Sequence, residues 1–320
     1  MLDYLILLVG LAGLVIAGDA LVRGAVGLAE RFGIPPLIIG LTIVALGTSA
    51  PELMVSIQAA FEGAPDIAIG NVVGSNIANV LLVLGVPALI AATPCDQMGL
   101  KRSTLFMLGA SVLFAVFAFG GQLVLWQGLV FLALLALFLY GSYLSARKAS
   151  ANGGPVDIET IDGVEGVPHS LWAALGFFAV GVIGLPFAAH ATVESASSIA
   201  RSLGVSEVII GLTIIAIGTS LPELVTTVMA ALKGQADVGV GNVIGSNVFN
   251  ILFILGATSS ITSIPIAQQI LQFDIWVMLA SSALLLPLVL MKITIGKKIG
   301  LAFLALYAIY LGVLIASAIG

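Results

Sequence analysis

Apolar residues in this chain neither alternate nor recur on one helical face. They run on for about 20 positions at a time between short polar breaks. At 1.5 Å per residue, such a run matches the roughly 30 Å hydrocarbon thickness of a bilayer. Ten spans are legible, near 2–22, 36–61, 66–92, 103–120, 123–145, 170–194, 206–232, 237–262, 273–291 and 298–319. The fold class read from this pattern is an all-α polytopic membrane protein with ten transmembrane helices. A barrel would instead show short alternating segments. The first run ends near Ala17-Gly18-Asp19-Ala20, as a signal peptide does, but its start carries Asp3 and no Lys or Arg. It is read as a retained helix.

Loops are short except 146–169, where Asn152-Gly153-Gly154-Pro155 precedes Asp157, Glu159, Asp162 and Glu165. This acidic, solvated linker separates a first five-helix half, 1–145, from a second, 170–320. It lacks a calcium-loop pattern, because Asp162 stands where the invariant glycine would be needed. Arg23, Arg31, Lys101, Arg102, Arg147, Lys148, Lys233, Lys292, Lys297 and Lys298 fall on one side, and only Arg201 on the other. The positive side is cytoplasmic, so the linker is cytoplasmic and both termini are extracytoplasmic.

Composition agrees. The chain is 60% hydrophobic and 8% charged, with a mean hydropathy of +1.21. A soluble domain carries about 25% charged residues. Net charge is −5, spread over loops, and no basic cluster points to nucleic acid. The single cysteine, Cys95, permits no intrachain disulfide and reads as a small loop or membrane-edge residue. No cofactor is expected. The oligomeric state is not set by the sequence, and a monomer is compatible with it.

The halves repeat one another. IIGLTIVALGTSAPEL from Ile38 returns as IIGLTIIAIGTSLPEL from Ile209, and GNVVGSNIANVLLVLG from Gly70 as GNVIGSNVFNILFILG from Gly241. Both pairs are offset by 171 residues without a gap. Halves with five spans each must enter the membrane from opposite faces, giving an inverted-topology repeat. Such repeats with interrupted helices mark secondary transporters whose site lies near the midplane.

Within these runs Glu52 and Glu223 are costly, roughly 2.5–3.5 kcal/mol each by insertion scales. Pro51 and Pro222 cannot donate to the carbonyls of Gly47 and Gly218, which frees backbone oxygen nearby. Thr48, Ser49 and Glu52 share one helical face, as do Thr219, Ser220 and Glu223. Asn71, Ser75 and Asn79 recur every four residues, and Asn242, Ser246 and Asn250 repeat them. Carboxylates, amides, hydroxyls and carbonyls suit Ca²⁺ and Na⁺, and no Cys/His cluster favours zinc or copper. Two facing carboxylates are neutralised by one divalent ion or by more than one monovalent ion. Judged singly, a membrane hydroxyl more often bonds its own backbone or packs at a small-residue interface. Asp19 and His190, also offset by 171, read as capping or interfacial groups.

At these residues the sequence resembles the calcium/cation antiporter superfamily, most closely its small prokaryotic sodium/calcium exchangers. Both GTSxPE and GNxxGSNxxN occur twice, and the likeness spans essentially the whole chain. The resemblance implies four ion sites among spans two, three, seven and eight. Ca²⁺ would be held by Glu52, Glu223 and the carbonyls of Thr48 and Thr219. Na⁺ sites would use the carbonyl of Ala45 with Ser49 and Ser75, and that of Ala216 with Ser220 and Ser246. Thr48, Thr219 and both glutamates would contribute to these too, with Asn79 and Asn250 at a central site. Potassium-dependent members carry Asp where this chain has Asn250, which speaks against potassium dependence.

The expected function is antiport in the cytoplasmic (inner) membrane, with Ca²⁺ extruded by the Na⁺ gradient through sliding of the first and sixth spans. Ca²⁺/H⁺ exchange by the same glutamates is the alternative. Duplicated hydroxyl and carbonyl ligands favour Na⁺, because a proton needs only the carboxylate. An intramembrane protease would have no use for the duplicated Ser and Asn stripes, and a channel would need no counter-ion.

Overall fold

Long apolar runs must satisfy their own backbone in a bilayer, so this chain is built of helices. The structure is a computed structural model, and it describes residues 2–61, 66–97, 99–151, 167–168, 170–204 and 216–319. Its helices are α1 (Leu2–Phe32), α2 (Leu37–Thr48), α3 (Ala50–Phe61), α4 (Ile67–Ile90), α5 (Leu100–Ala118) and α6 (Leu125–Ala151). There follow α7 (Leu171–Ser202), α8 (Ala216–Thr219), α9 (Leu221–Leu232), α10 (Ala236–Ile261), α11 (Ile270–Leu290) and α12 (Lys297–Ile319).

Among the described residues eight helices are long and apolar enough to cross a membrane, and the α2–α3 pair, bent by 42°, makes a ninth. The expected span 206–232 begins on residues outside the described ones, and its described part is α8 and α9. Most of the expected acidic linker, 152–166, lies outside them as well. The linker's first residues, 146–151, instead continue α6.

The expected end of the first span at residue 22 is corrected by α1, which continues to Phe32. Arg23 does not stop it, because Asp19 pairs with Arg23 at 2.7 Å and with Lys233 of the α9 end at 2.5 Å. At 1.5 Å per residue α1 is about 46 Å long, and α7 is similar. Both exceed the bilayer core and must tilt or project beyond it.

The two long helices pack antiparallel on each other. A methyl added at Gly10 would lie 2.5 Å from Thr192 Oγ1, and one at Gly181 would lie 2.6 Å from Leu21 Cα. These contacts are reciprocal, since 10 and 181, like 21 and 192, are offset by 171. Leu14, Leu21 and Val22 of α1 close the seam against Leu185 and Ala189 of α7. The outer faces of the pair expose Leu5, Leu8, Val15, Ile183 and Phe187, as a lipid-facing surface requires.

A larger core surrounds α4 and α10, drawing on α5, α6, α11 and α12. α10 is almost wholly enclosed. Glycine lets α2 lie directly on it: methyls at Gly241 and Gly245 would come within 2.5 Å of the Leu37 and Leu41 carbonyl oxygens. The loops leaving α4 and α10 each borrow a partner from the other half. Thr93 bridges Ile295, and β1 (Gln122–Leu123) pairs antiparallel with β2 (Ile264–Pro265).

Candidate cation site

Four interrupted or widened helices meet at the centre. α2 gives way to α3 at Ser49, whose backbone sits at φ −81° and ψ 6°. α8 gives way to α9 at Ser220, at φ −86° and ψ 6°. In each copy proline occupies the second residue of the new helix, where a missing N–H costs nothing. α4 and α10 both open into a π-helical turn, over Asn79–Val83 and Asn250–Ile254. Such turns are rare and recur at functional positions.

The second carboxylate is partly held. Glu223 is fully buried, and its Oε1 accepts from Ser49 Oγ at 3.2 Å and from Ser246 Oγ at 3.4 Å. Thr48 donates to Asn242 Oδ1 at 3.0 Å and lies 3.4 Å from Ser246 Oγ. Residues of α2, α9 and α10 thus converge on one point. Glu52 is also fully buried, yet both its oxygens form no hydrogen bond. Glu223 Oε2 and the hydroxyls of Ser75 and Ser220 are likewise without a partner. Ala45 is buried with its carbonyl accepting from Ser49 N at 3.0 Å. Ala216 opens α8, and Thr219 closes it half-buried.

Between α4 and α10 lies a lattice of four asparagines. Asn79 Nδ2 donates to Asn247 Oδ1 and Asn250 Nδ2 to Asn76 Oδ1, both at 3.0 Å. Asn76 Nδ2 reaches the Asn247 carbonyl at 3.5 Å, and Asn247 Nδ2 the Asn76 carbonyl at 3.4 Å. Each amide that is satisfied leaves another oxygen bare: Oδ1 of Asn79 and Oδ1 of Asn250 have no partner.

The polar stripe expected along α4 is therefore divided. Asn71 turns away to donate to the Glu52 carbonyl and to Ser56 Oγ, both at 3.2 Å, and so ties α4 to α3. Asn76, three residues before Asn79, takes its place in the interior. Asn76 and Asn247 were not among the expected site residues. Their signal was present, since both belong to the duplicated GSN, but a strict four-residue spacing passes over them. Asp19, expected as a capping or interfacial group, instead lies within α1 and pairs with Arg23 and Lys233, and His190 Nε2 lies 3.4 Å from Glu194 on an exposed surface.

A cavity of about 310 Å³ reaches Ser49 between α2, α7 and α10, walled by Gly47, Leu53, Phe178, Val182 and Phe253. Among the described residues no three His, Cys, Asp or Glu side chains cluster. The donor set is instead two carboxylates with hydroxyls and amides, all oxygen, as Na⁺ and Ca²⁺ prefer.

Comparison with known proteins agrees with this chemistry. The family model described as sodium/calcium exchanger protein matches residues 2–144 and 173–316. The chain is 35% identical over 349 residues to the sodium/calcium exchanger MaX1 of Methanosarcina acetivorans, covering 98% of both chains. It is 40% identical over 259 residues to the inner membrane protein YrbG of Escherichia coli, covering 80% of this chain and 79% of that one. A solved structure of the sodium-calcium exchanger NCX_Mj, soaked with zero Na⁺ and Ca²⁺, superposes with a TM-score of 0.82 at 32% identity. It covers 98% of this chain and 99% of its own. The all-helical, multi-span architecture is thus one that these proteins share, and the chain belongs to the sodium/calcium exchanger family.

Proposed function

We propose that this protein is a secondary antiporter that exchanges Na⁺ for Ca²⁺ by alternating access, with Ca²⁺ extruded at the expense of the Na⁺ gradient. Members of its family are antiporters and not enzymes. The observation that carries the reading is a set of buried oxygens without hydrogen-bond partners. It comprises both of Glu52, one of Glu223, the hydroxyls of Ser75 and Ser220, and the amide oxygens of Asn79 and Asn250. Leaving a buried polar atom unpaired costs about 1–3 kcal/mol, more if charged. A cation repays that cost at several atoms together, and Ca²⁺ takes 6–8 oxygens.

In this reading Glu52, Glu223 and the carbonyls of Thr48 and Thr219 bind Ca²⁺. Na⁺ sits on either side, one ion by the Ala45 carbonyl, Ser49 and Ser75 and the other by the Ala216 carbonyl, Ser220 and Ser246. Asn79 and Asn250 line the centre. Two carboxylates balance one Ca²⁺ or more than one Na⁺, so the two loads compete for the same oxygens. The chain comprises ten spans in two inverted halves, 1–145 and 170–320, with both termini extracytoplasmic. The reciprocal Gly10–Thr192 and Gly181–Leu21 contacts and the paired serine breaks support this arrangement. α1 and α7 slide together to open the site to alternate sides, and α7 already borders the cavity at Ser49. The likeness to an inner membrane protein supports a cytoplasmic-membrane location.

The test is reconstitution in liposomes with ⁴⁵Ca²⁺ outside. Uptake driven by an internal Na⁺ load is the expected result. Uptake that follows a pH gradient and ignores Na⁺ would transfer the same glutamates to Ca²⁺/H⁺ exchange, and uptake with no counter-ion would mean a channel.

A further inference from the structure

A second cavity, of about 510 Å³, lies between the start of α2, the start of α5 and the end of α6. Small-molecule pockets run roughly 300–1,000 Å³, so this one is large enough for a ligand. It is polar at one end only. Arg102, Ser142 and Ser145 stand there, whereas Leu41, Phe106 and Phe138 wall the rest. Residues 138, 142 and 145 share one face of α6. The polar rim at Ser142 and Ser145 therefore lies about 6 to 10 Å along the helix from Phe138.

The guanidinium at this rim is held in place. Its Nη1 donates to Ser145 Oγ at 3.2 Å, and Ser145 Oγ in turn donates to the Gly141 carbonyl at 2.9 Å. A methyl at Gly141 would collide with Arg102 Nη2 and sit 3.3 Å from its Cζ, so glycine provides the room the guanidinium fills. Among the described residues no carboxylate pairs with Arg102. Its charge stands unbalanced beside an apolar chamber, with Lys101 and the positive end of α5 adding to it.

We propose that this chamber binds an anionic phospholipid, whose phosphate pairs with Arg102 beside Ser142 and Ser145 while an acyl chain lies against Leu41, Phe106 and Phe138. Guanidinium matches phosphate with two parallel hydrogen bonds. Basic pockets between membrane helices take phosphate headgroups for the same reason. A choline headgroup would bring its own cation against Arg102, so a net negative lipid is preferred. Occupancy reaches the transport machinery through α2. That helix walls the chamber at Leu37 and Leu41, the same two residues press their backbone on Gly241 and Gly245 of α10, and one to two turns further on it carries Ala45 and Thr48. A filled chamber braces the helix that presents those residues.

Native mass spectrometry of the full chain, released from micelles holding equal phosphatidylglycerol and phosphatidylcholine, tests the site directly. The expected result is one retained phosphatidylglycerol and little phosphatidylcholine. Arg102→Gln should lower that retention about fivefold, the factor expected for one basic residue at a membrane surface. Ser142→Trp, which fills the chamber and keeps the charge, should lower it too. A second measurement guards against a misfolded variant: the melting temperature of the unaltered protein in phosphatidylcholine nanodiscs should rise as phosphatidylglycerol is added. Equal retention of the two lipids, undiminished retention in Arg102→Gln, or a melting temperature indifferent to phosphatidylglycerol would overturn the proposal.

Discussion

The two carboxylates stand in nearly identical sequence and in different surroundings. Glu223 receives hydroxyls from Ser49 and Ser246. The equivalents for Glu52 are Ser220 and Ser75, and there all four side-chain oxygens, two acidic and two hydroxyl, are unbonded. Thr48 is buried and bonded to Asn242, whereas Thr219 is half-buried. A symmetric pair of motifs is thus folded asymmetrically, one carboxylate hydrogen-bonded to its serines and the other not. Under the alternating access proposed above, the opposite state would arise when the halves exchange these roles. The same residues then serve both sides of the membrane, and one set of ligands suffices.

The largest expected effect tests whether both acids are needed despite that difference. Glu52→Gln and Glu223→Gln should each lower Na⁺-driven ⁴⁵Ca²⁺ uptake about 100-fold or more, since breaking a buried ionic contact costs about 3–5 kcal/mol. Substantial exchange in either variant would mean that the halves are not equivalent partners. Ser49→Ala and Ser220→Ala sharpen the contrast. Without ions, Ser49→Ala should destabilise the protein by about 1–3 kcal/mol, because a buried carboxyl oxygen of Glu223 loses a donor, and Ser220→Ala, whose hydroxyl has no partner, by much less. Thermal melting in ion-free detergent measures the difference, and equal losses would remove it.

Next in size is the asparagine lattice, where the halves are alike. Asn76→Ala and Asn247→Ala each strand one amide, of Asn250 or of Asn79, and should each cost about 1–3 kcal/mol. Unequal melting temperatures would extend the asymmetry down to this level. The smallest effect lies in the loops, at Cys95 and its equivalent Ile266, both buried. Burial chiefly, with the charge of Asp96 adding and the backbone N–H of Ile295 opposing, pushes the Cys95 thiol up to about 11. The thiol therefore stays protonated at neutral pH. Alkylation by iodoacetamide should be slow at pH 8 and accelerate only as pH approaches that value. Rapid labelling at pH 8 would show that this loop is looser than its partner.

Much of this was legible in the residues. Uninterrupted apolar runs located the helices, and Pro51 and Pro222 marked the broken ones because proline removes a donor. The duplicated motifs contain the glutamates, hydroxyls and asparagines that converge at the candidate site. Contacts set by the fold were not legible. Identical GTSxPE segments carry no sign of which glutamate will hold hydroxyls, because that depends on how the halves lean. Asn76 and Asn71 are both motif asparagines, and only the π-helical turn at Asn79 and the nearness of Ser56 decide which points inward. The end of α1 was misplaced because Arg23 reads as a stop until its partner Asp19, itself shared with Lys233, is seen in space.

The asparagine lattice also bears on how the protein is made. Asn76 and Asn79 leave the ribosome about 170 residues ahead of the groups that satisfy them. Until the second half is inserted, those amides sit in a bilayer with no native partner, and either half expressed alone would remain in that condition. Closure of the interior therefore waits on insertion of α10, which carries Asn247 and Asn250.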